Sequence, residues 1–419
     1  MKYKTYNCNS FNIYTIKTDR FKTSHLEVIF KNVLKKEEIG TYSFLADMLS
    51  EGCKKYPRKK DLITRFEELY KIVIYASTMR VGNVIDLHVS LDFINPEYIE
   101  DEGYIEDVIK TLFEVILNPN VCNDEFDLKT FNIVKERLRR EINSLKENPV
   151  KQSIKEAIKT MDSNSPTSYE ILGTIEELEN ITPAKLYNAY KSLRKNFKVD
   201  VFLIGNLDMD NVASLIKKYF KNRYIVSDNF EVMVDNKETK KVKEKTMKSD
   251  NIQTNLVMLF NLKNLSELEK NITLNCFNYL YGSGGLTSKL YKSIREENSL
   301  CYAINSMYLK YDKLLMVQIS LDNCNVKKAI SLVKKELKSM QNGNFSEEEV
   351  RDAINNMVIS LDMSLDNNIA ILNNYVFNIY DKLPSIEERK EYFKKLTKEY
   401  IVNVSKKVKL NTIFTLEGR

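Results

Sequence analysis

Two stretches carry side chains whose types and spacing could do chemistry. Tyr281–Tyr302 reads YGSGGLTSKLYKSIREENSLCY, with Gly282, Gly284 and Gly285 opening a loop ahead of Arg295 and Tyr302. An arginine presents a fork of donors to carbonyl oxygens, and a tyrosine hydroxyl can meet developing negative charge. On spacing alone, Arg295 also reads as a surface helix residue and Tyr302 as a strand residue packing a core. The glycine loop is a weak signal by itself. It lacks the strand–glycine–lysine–serine context of a phosphate cradle and also reads as a flexible turn between helices. The second stretch, Gly40–Pro57, reads GTYSFLADMLSEGCKKYP. Phe44, Leu45, Met48 and Leu49 recur at helical spacing, and Gly52 stands where a left-handed cap would end the helix. Ser43, Ala46 and Asp47 lie among them. The chain holds only two histidines, His25 and His88, and neither falls on this helix.

The elements around these stretches are those of a large globular chain. Its 419 residues suggest more than one domain. Hydrophobic content of 43% and charged content of 29% are ordinary. The net charge of +6, from 64 basic and 58 acidic residues, is mild and gives no argument for nucleic acid. Six scattered cysteines without a C-x-x-C pair read as reduced, mostly buried thiols of a cytosolic protein. The first residues lack an apolar core of signal-peptide length, and no run of about 18 apolar residues predicts a membrane span. A cytoplasmic location away from membranes is expected.

Phe11–Thr18 and Thr23–Val33 alternate as strands, the second with Leu26, Val28 and Phe30 on one face; His25 there reads as structural. Helices are predicted over Gly40–Gly52, Arg58–Ile72, Ile105–Leu117 and Glu125–Glu147, and strands over Ile74–Met79 and Asn83–Ile94. The long helix stops at Asn148-Pro149. Thr182-Pro183 starts another, and Lys198–Gly205 is a strand feeding a helix. Asn222–Asp250 loses periodicity. The second half then repeats the first: Leu256, Met258 and Phe260 echo Leu26, Val28 and Phe30, and QISLD at Gln318–Asp322 echoes HVSLD at His88–Asp92. This predicts an α+β architecture with an N-terminal domain over 1–222, a linker and edge strand over 223–250, and a C-terminal domain over 251–419.

Gly40–Pro57 resembles the site helix of the pitrilysin/insulinase family of zinc peptidases, G-x-x-H-x-x-E-H-M-L-x-x-G-T. Gly40, Met48, Leu49 and Gly52 fall on that frame. Ser43 stands at the first histidine, Ala46 at the glutamate and Asp47 at the second histidine. FNIVKERLRREINSLKENP resembles the family helix that supplies a third ligand, matching it to Glu141; a solvated charged face is the plainer reading. A zinc site of this type needs two imidazoles at i and i+4 and a general base between them. A serine is a poor ligand, an alanine takes no proton and one aspartate cannot hold the metal alone. No metal is therefore expected in this chain. Tyr281–Tyr302 resembles the family's second signature, G-G-x-x-S-x-L-[FY]-x-x-[IV]-R-E-x-x-x-L-x-Y. Gly284, Gly285, Ser288, Leu290, Tyr291, Ile294, Arg295, Glu296, Leu300 and Tyr302 all match.

The resemblance covers nearly the whole chain. It implies two homologous αβ domains, each a mostly antiparallel sheet with helices on one side, forming half of a clam-shell around a peptide. It also implies that Arg295 and Tyr302, with the Gly282–Gly285 loop, hold peptide backbone near the scissile carbonyl of a zinc site in the opposite half. The expected function is a non-catalytic, substrate-binding subunit of a heterodimeric zinc metallopeptidase. A paralogue of the mitochondrial-processing-peptidase type would carry H-x-x-E-H and the zinc, and this chain alone would hydrolyse nothing. One alternative is a peptide-binding or structural scaffold with no protease partner. Another is an active hydrolase that binds a different metal through Asp47 and Glu141, where two carboxylates without imidazole suit Mg²⁺ or Ca²⁺. Ser43, Ala46 and Asp47 are expected to tolerate substitution better than Phe44, Leu45, Met48 or Leu49.

Overall fold

The computed structural model describes residues 2–222, 224–381 and 383–419. Met1 and Arg223, the first residues of the expected N-terminal domain and linker, lie outside them. The strands of six residues or more are β1 (Lys2–Asn7), β2 (Phe11–Lys17), β3 (Thr23–Val33), β4 (Val73–Val81), β5 (Val84–Ile94), β6 (Lys198–Gly205), β7 (Lys243–Lys248), β8 (Thr254–Leu262), β9 (Cys301–Leu309), β10 (Leu314–Leu321) and β11 (Val408–Glu417). The α-helices of eight residues or more in the first half are α1 (Ile39–Leu49), α2 (Lys59–Glu68), α3 (Tyr104–Leu117), α4 (Leu128–Glu147), α5 (Pro149–Asp162), α6 (Pro183–Asn196) and α7 (Met209–Tyr219). Those of the second half are α8 (Val326–Gln341), α9 (Glu347–Ser364), α10 (Asn368–Asp381), α11 (Ile386–Lys394) and α12 (Lys398–Ser405).

The chain divides into two units that are not contiguous in sequence. One comprises Met1–Asn143, Tyr169–Val232 and Leu365–Tyr380; the other comprises Ser144–Ser168, Met233–Ser364 and Asp381–Arg419. The exchanged pieces are helices. α5 belongs to the second unit, and most of α10 belongs to the first.

In the first unit the strand order is β1-β2-β6-β3-β5-β4, antiparallel throughout except that β2 and β6 are parallel. β1 falls in the polar start, where no strand is predicted from sequence. The alternation of β3 sends Leu26, Val28 and Phe30 into one core with Leu87, Val89 and Leu91 of β5. α1 to α4, α6 and α7 add Phe44, Leu62, Leu112, Val134, Leu186 and Ile216 to that core. α6 starts as its sequence dictates: the Thr182 side chain accepts from the Lys185 N–H, and Pro183 occupies a first-turn position whose own N–H would lack a helical partner.

In the second unit the order is β9-β10-β8-β11-β7, with only β11 and β7 parallel. Leu256, Met258 and Phe260 of β8 face the core that α8, α9, α11 and α12 cover. Each sheet thus places a central strand pair beside an antiparallel hairpin and one parallel neighbour, which is the repeat legible in the sequence.

Most helices pack on one side of each sheet, as expected. A single helix closes part of the opposite face in both units. In the first, Ile371, Leu372 and Val376 of α10 pack on Ile16, Ile29, Phe202 and Ile204. In the second, Ala157 and Met161 of α5 pack on Val257, Leu259, Met316 and Phe414. α5 itself goes unpredicted because Asn148-Pro149 reads as a stop. The same pair is a start: the Asn148 side chain caps the Lys151 N–H, and Pro149 is the first helical residue.

Burial of Leu372 between α10 and the first sheet is complete. Leu372→Ala should therefore cost about 2–5 kcal/mol in urea unfolding. Ile369→Ala, at a position 40% exposed on the same helix, should cost about 1 kcal/mol or less. Equal costs would show that α10 is not docked on this sheet.

Candidate functional site

α1 is a core helix along nearly its whole length. It runs close to the segment ending at Gly173: a Cβ on Gly40 would come within 3.0 Å of the Gly173 Cα, so a side chain at position 40 would force the backbones apart. Phe44 stacks on Phe131 of α4 at 4.7 Å between ring centroids. Ser43 is buried, with its hydroxyl donating to the Ile171 carbonyl and lying 2.6 Å from Thr78 Oγ1. Ala46 is buried in the apolar core. Asp47 pairs with Arg137 of α4 at 3.2 Å, and the same guanidinium donates to Glu51 at 2.8 Å. Burial pushes the Asp47 carboxyl up, with Arg137 opposing that push.

Glu141, matched from sequence to a third ligand, is exposed on α4 one turn beyond Arg137. The zinc that the family resemblance implies does not fit these residues. Ser43 is committed to a hydroxyl and a carbonyl, Ala46 offers no atom and Asp47 is ion-paired. Among the described residues, no group of three or more histidine, cysteine, aspartate or glutamate side chains could hold a metal ion. The alternative of a hard cation at Asp47 and Glu141 loses its first ligand to Arg137. The expected tolerance at Ser43, Ala46 and Asp47 is also revised. Ser43 and Ala46 are as buried as the apolar residues beside them, which residue type alone does not reveal because small and polar types occur on both sides of a helix.

The glycine loop and the Arg/Tyr pair lie in the second unit. Between Glu269 and Glu296 the backbone runs through three π-helical turns, Glu269–Thr273, Tyr279–Ser283 and Tyr291–Glu296. Such wide turns are rare and are frequent at functional sites. Gly282 is pressed against β9: a Cβ there would come 2.5 Å from the Ser306 Oγ. Gly284 is half-buried and Gly285 exposed in the loop that follows.

Arg295 lies in the last π-turn, exposed, with its guanidinium 5.0 Å over the Tyr291 ring. Its charge reaches Cys301, whose thiol is pushed up by burial and drawn back by Arg295. Tyr302 follows directly. The β9–β10 register slips between Cys301 and Ala303, leaving Tyr302 at a bulge. Bulges re-aim side chains, and here the ring is 57% exposed with its hydroxyl donating to Asp322 at 3.4 Å. Tyr302 is therefore not a core residue. The strand that bears it stands at one edge of the sheet.

A third cluster escaped sequence reasoning. On the second face of the first sheet, His88 Nδ1 lies 2.7 Å from Glu27 and Nε2 lies 3.8 Å from Asp86. Tyr380 of α10 donates to Asp86 at 2.6 Å. Lys31, almost fully buried, sits 3.0 Å from Asp200 and 2.8 Å from Asp228. His25 lies nearby in sequence with Nδ1 2.8 Å from Asp92, in keeping with its structural reading. Burial disfavours the His88 imidazolium, but Asp86 and Glu27 more than reverse this and raise its pKa to about 9. Burial pushes the Glu27 carboxyl up, but the His88 bond together with the charges of His88 and His25 holds it below its ordinary value. Alternating charges in β3 and β5 were the available signal; their pairing needs the strand register.

The fold and the replaced site residues together define a class: an M16-type peptidase architecture without its metal-binding residues. Residues 180–357 match the peptidase M16 inactive domain family. Over 412 residues the chain is 26% identical to the "probable inactive metalloprotease YmfF" of Bacillus subtilis strain 168, covering 96% of this chain and 95% of that protein. Its fold is similar to that of a conserved protein from Enterococcus faecalis V583, with TM-score 0.94, 23% identity and coverage of 100% of this chain and 99% of the other. It is likewise similar to a peptidase M16 inactive domain from Pseudomonas fluorescens, with TM-score 0.82, 16% identity and coverage of 100% and 99%. These findings support an inactive member of the M16 family, to which the pitrilysin and insulinase resemblance points. Among the described residues no helix is long and apolar enough to cross a membrane. All six cysteines are free; three are buried, and Cys122 and Cys324 are exposed.

The His88 cluster makes stability depend on pH with a defined sign. A histidine raised from 6.5 to about 9 contributes fully below about pH 6.5 and loses that contribution as pH climbs through 9. The thermal midpoint should fall across that window, and His88→Gln should flatten the fall. An identical pH profile in the variant would mean that His88 is not charged in the folded protein.

Proposed function

We propose that this chain is the non-catalytic, peptide-holding subunit of a two-chain M16 peptidase whose partner, a paralogue with an intact H-x-x-E-H helix, carries the zinc. The observation that carries this reading is the edge strand β9. Tyr302 stands exposed at its bulge, Arg295 is exposed in the π-turn that precedes the strand, and α1 offers no set of metal ligands.

The character of the edges supports the reading. An exposed strand edge recruits other strands, and lysines on an edge discourage this. β1 carries Lys2 and Lys4, and β7 carries Lys243, Lys245 and Lys248. β9 reads CYAINSMYL and carries no charge at all. An extended peptide could add to it through main-chain hydrogen bonds. Arg295 would then donate to a peptide carbonyl, and the Tyr302 hydroxyl would meet the charge developing at the partner's zinc. We place this work in the cytoplasm, a location that the free cysteines favour.

Mixing the purified chain with its zinc-bearing partner should restore peptide cleavage that neither shows alone. Tyr302→Phe and Arg295→Ala should each lower that rate by about tenfold or more, as expected for a lost donor to a developing oxyanion. Peptide binding to this chain that no partner converts into cleavage would favour the scaffold alternative. A purified chain that holds one zinc and hydrolyses peptides by itself would overturn both.

A further inference from the structure

Asp47 and Glu51 lie four residues apart and so share one face of α1. Neither carboxylate is freely hydrated: the side chains are 29% and 10% exposed. Two dehydrated carboxylates this close need positive charge. Among the described residues, Lys59 approaches Glu51 at 3.8 Å, while Arg137 reaches both, Asp47 at 3.2 Å and Glu51 at 2.8 Å. Lys59 Nζ is also engaged by the Ser50 carbonyl at 2.5 Å.

A guanidinium suits this place. Its charge is permanent, and its planar fork meets two acceptors at once, as a lysine's single ammonium does not. Arg137 also belongs to α4, so the ion pairs tie α1 to α4 at a second point beyond the Phe44–Phe131 stack. We infer that Arg137 is a resident cation: its guanidinium neutralises the α1 carboxylate pair, fastens α1 to α4 and, by filling the ground between them, keeps a divalent ion out. The loss of metal chemistry here is then more than missing ligands. An organic cation occupies these carboxylates, and restoring histidines alone would not clear it.

The inference rests on the reading that this chain holds no metal of its own. It concerns the isolated chain, so its failure leaves the peptide-holding role of Arg295 and Tyr302 to be judged separately by cleavage with the partner.

The test uses the full chain with Co²⁺ as the probe. Arg137→Met keeps the length and removes the charge; it should lower the thermal midpoint by about 3–8 °C. Arg137→Lys, which keeps a charge but not the fork, should recover part of that loss. Millimolar Co²⁺ should raise the midpoint of Arg137→Met and leave the wild type and the double variant Arg137→Met/Asp47→Asn unmoved. Equal midpoints for the wild type and Arg137→Met would overturn the inference. So would a Co²⁺ shift of the same size in all three proteins.

Discussion

Where a helix closes the second face of a sheet, the strands beneath it have no water in which to place an unmatched charge, and part of each sheet in this protein is closed in this way. The helix that closes the second face comes from far along the chain in each case: α10 over the first sheet and α5 over the second. Every inward strand position must then be apolar or paired. The second unit takes the apolar route, with Val257, Leu259, Met316 and Phe414 under α5. The first unit takes the ionic route, with Glu27, Lys31, Asp86, His88 and Asp200 paired among themselves and with Asp228 and Tyr380. Removing one member of such a set leaves its partner buried and uncompensated, which costs more than the intact pairs contribute. The sequence echo HVSLD and QISLD marks where the two solutions diverge: His88 pairs with Ile29 in the first sheet, and the uncharged Gln318 pairs with Val257 in the second.

The same constraint explains why α1 keeps its frame after losing its chemistry. Gly40 must stay small against Gly173, and Phe44, Leu45, Met48 and Leu49 fill the core. Those requirements persist whether or not a metal is present. The positions that a zinc site would use have been absorbed into ordinary structure: Ser43 into hydrogen bonds, Ala46 into packing and Asp47 into an ion pair. No comparable absorption has happened at β9, where Tyr302 remains exposed on an uncharged strand, or in the π-turn before it, where Arg295 remains exposed. That contrast joins the absence of metal ligands on α1 to the peptide-holding role proposed for β9.

Much of this was legible from sequence and some could not be. The alternation of Leu26, Val28 and Phe30, repeated by Leu256, Met258 and Phe260, identified the core faces because burial enforces period two. The α1 frame and the Arg295–Tyr302 spacing were legible through family resemblance. What stayed hidden depends on partners distant in sequence. Arg137 is one of three arginines within four residues, and only the rotation of α4 selects it for Asp47 and Glu51. His88 and Glu27 are 61 positions apart and meet through strand register. α5 was missed because an Asn-Pro pair can end one helix and begin the next. The exposure of Tyr302 comes from a bulge, which a single sequence does not announce.

The central claim is that this chain works only beside a zinc-bearing relative. Purifying it from its native host, with mass spectrometry of the associated proteins and metal analysis of the complex, tests this most directly. The account predicts a stoichiometric companion chain containing H-x-x-E-H and one zinc per pair, lost when the companion is stripped away. Recovery of this chain alone, carrying its own zinc and cleaving peptides, would contradict it.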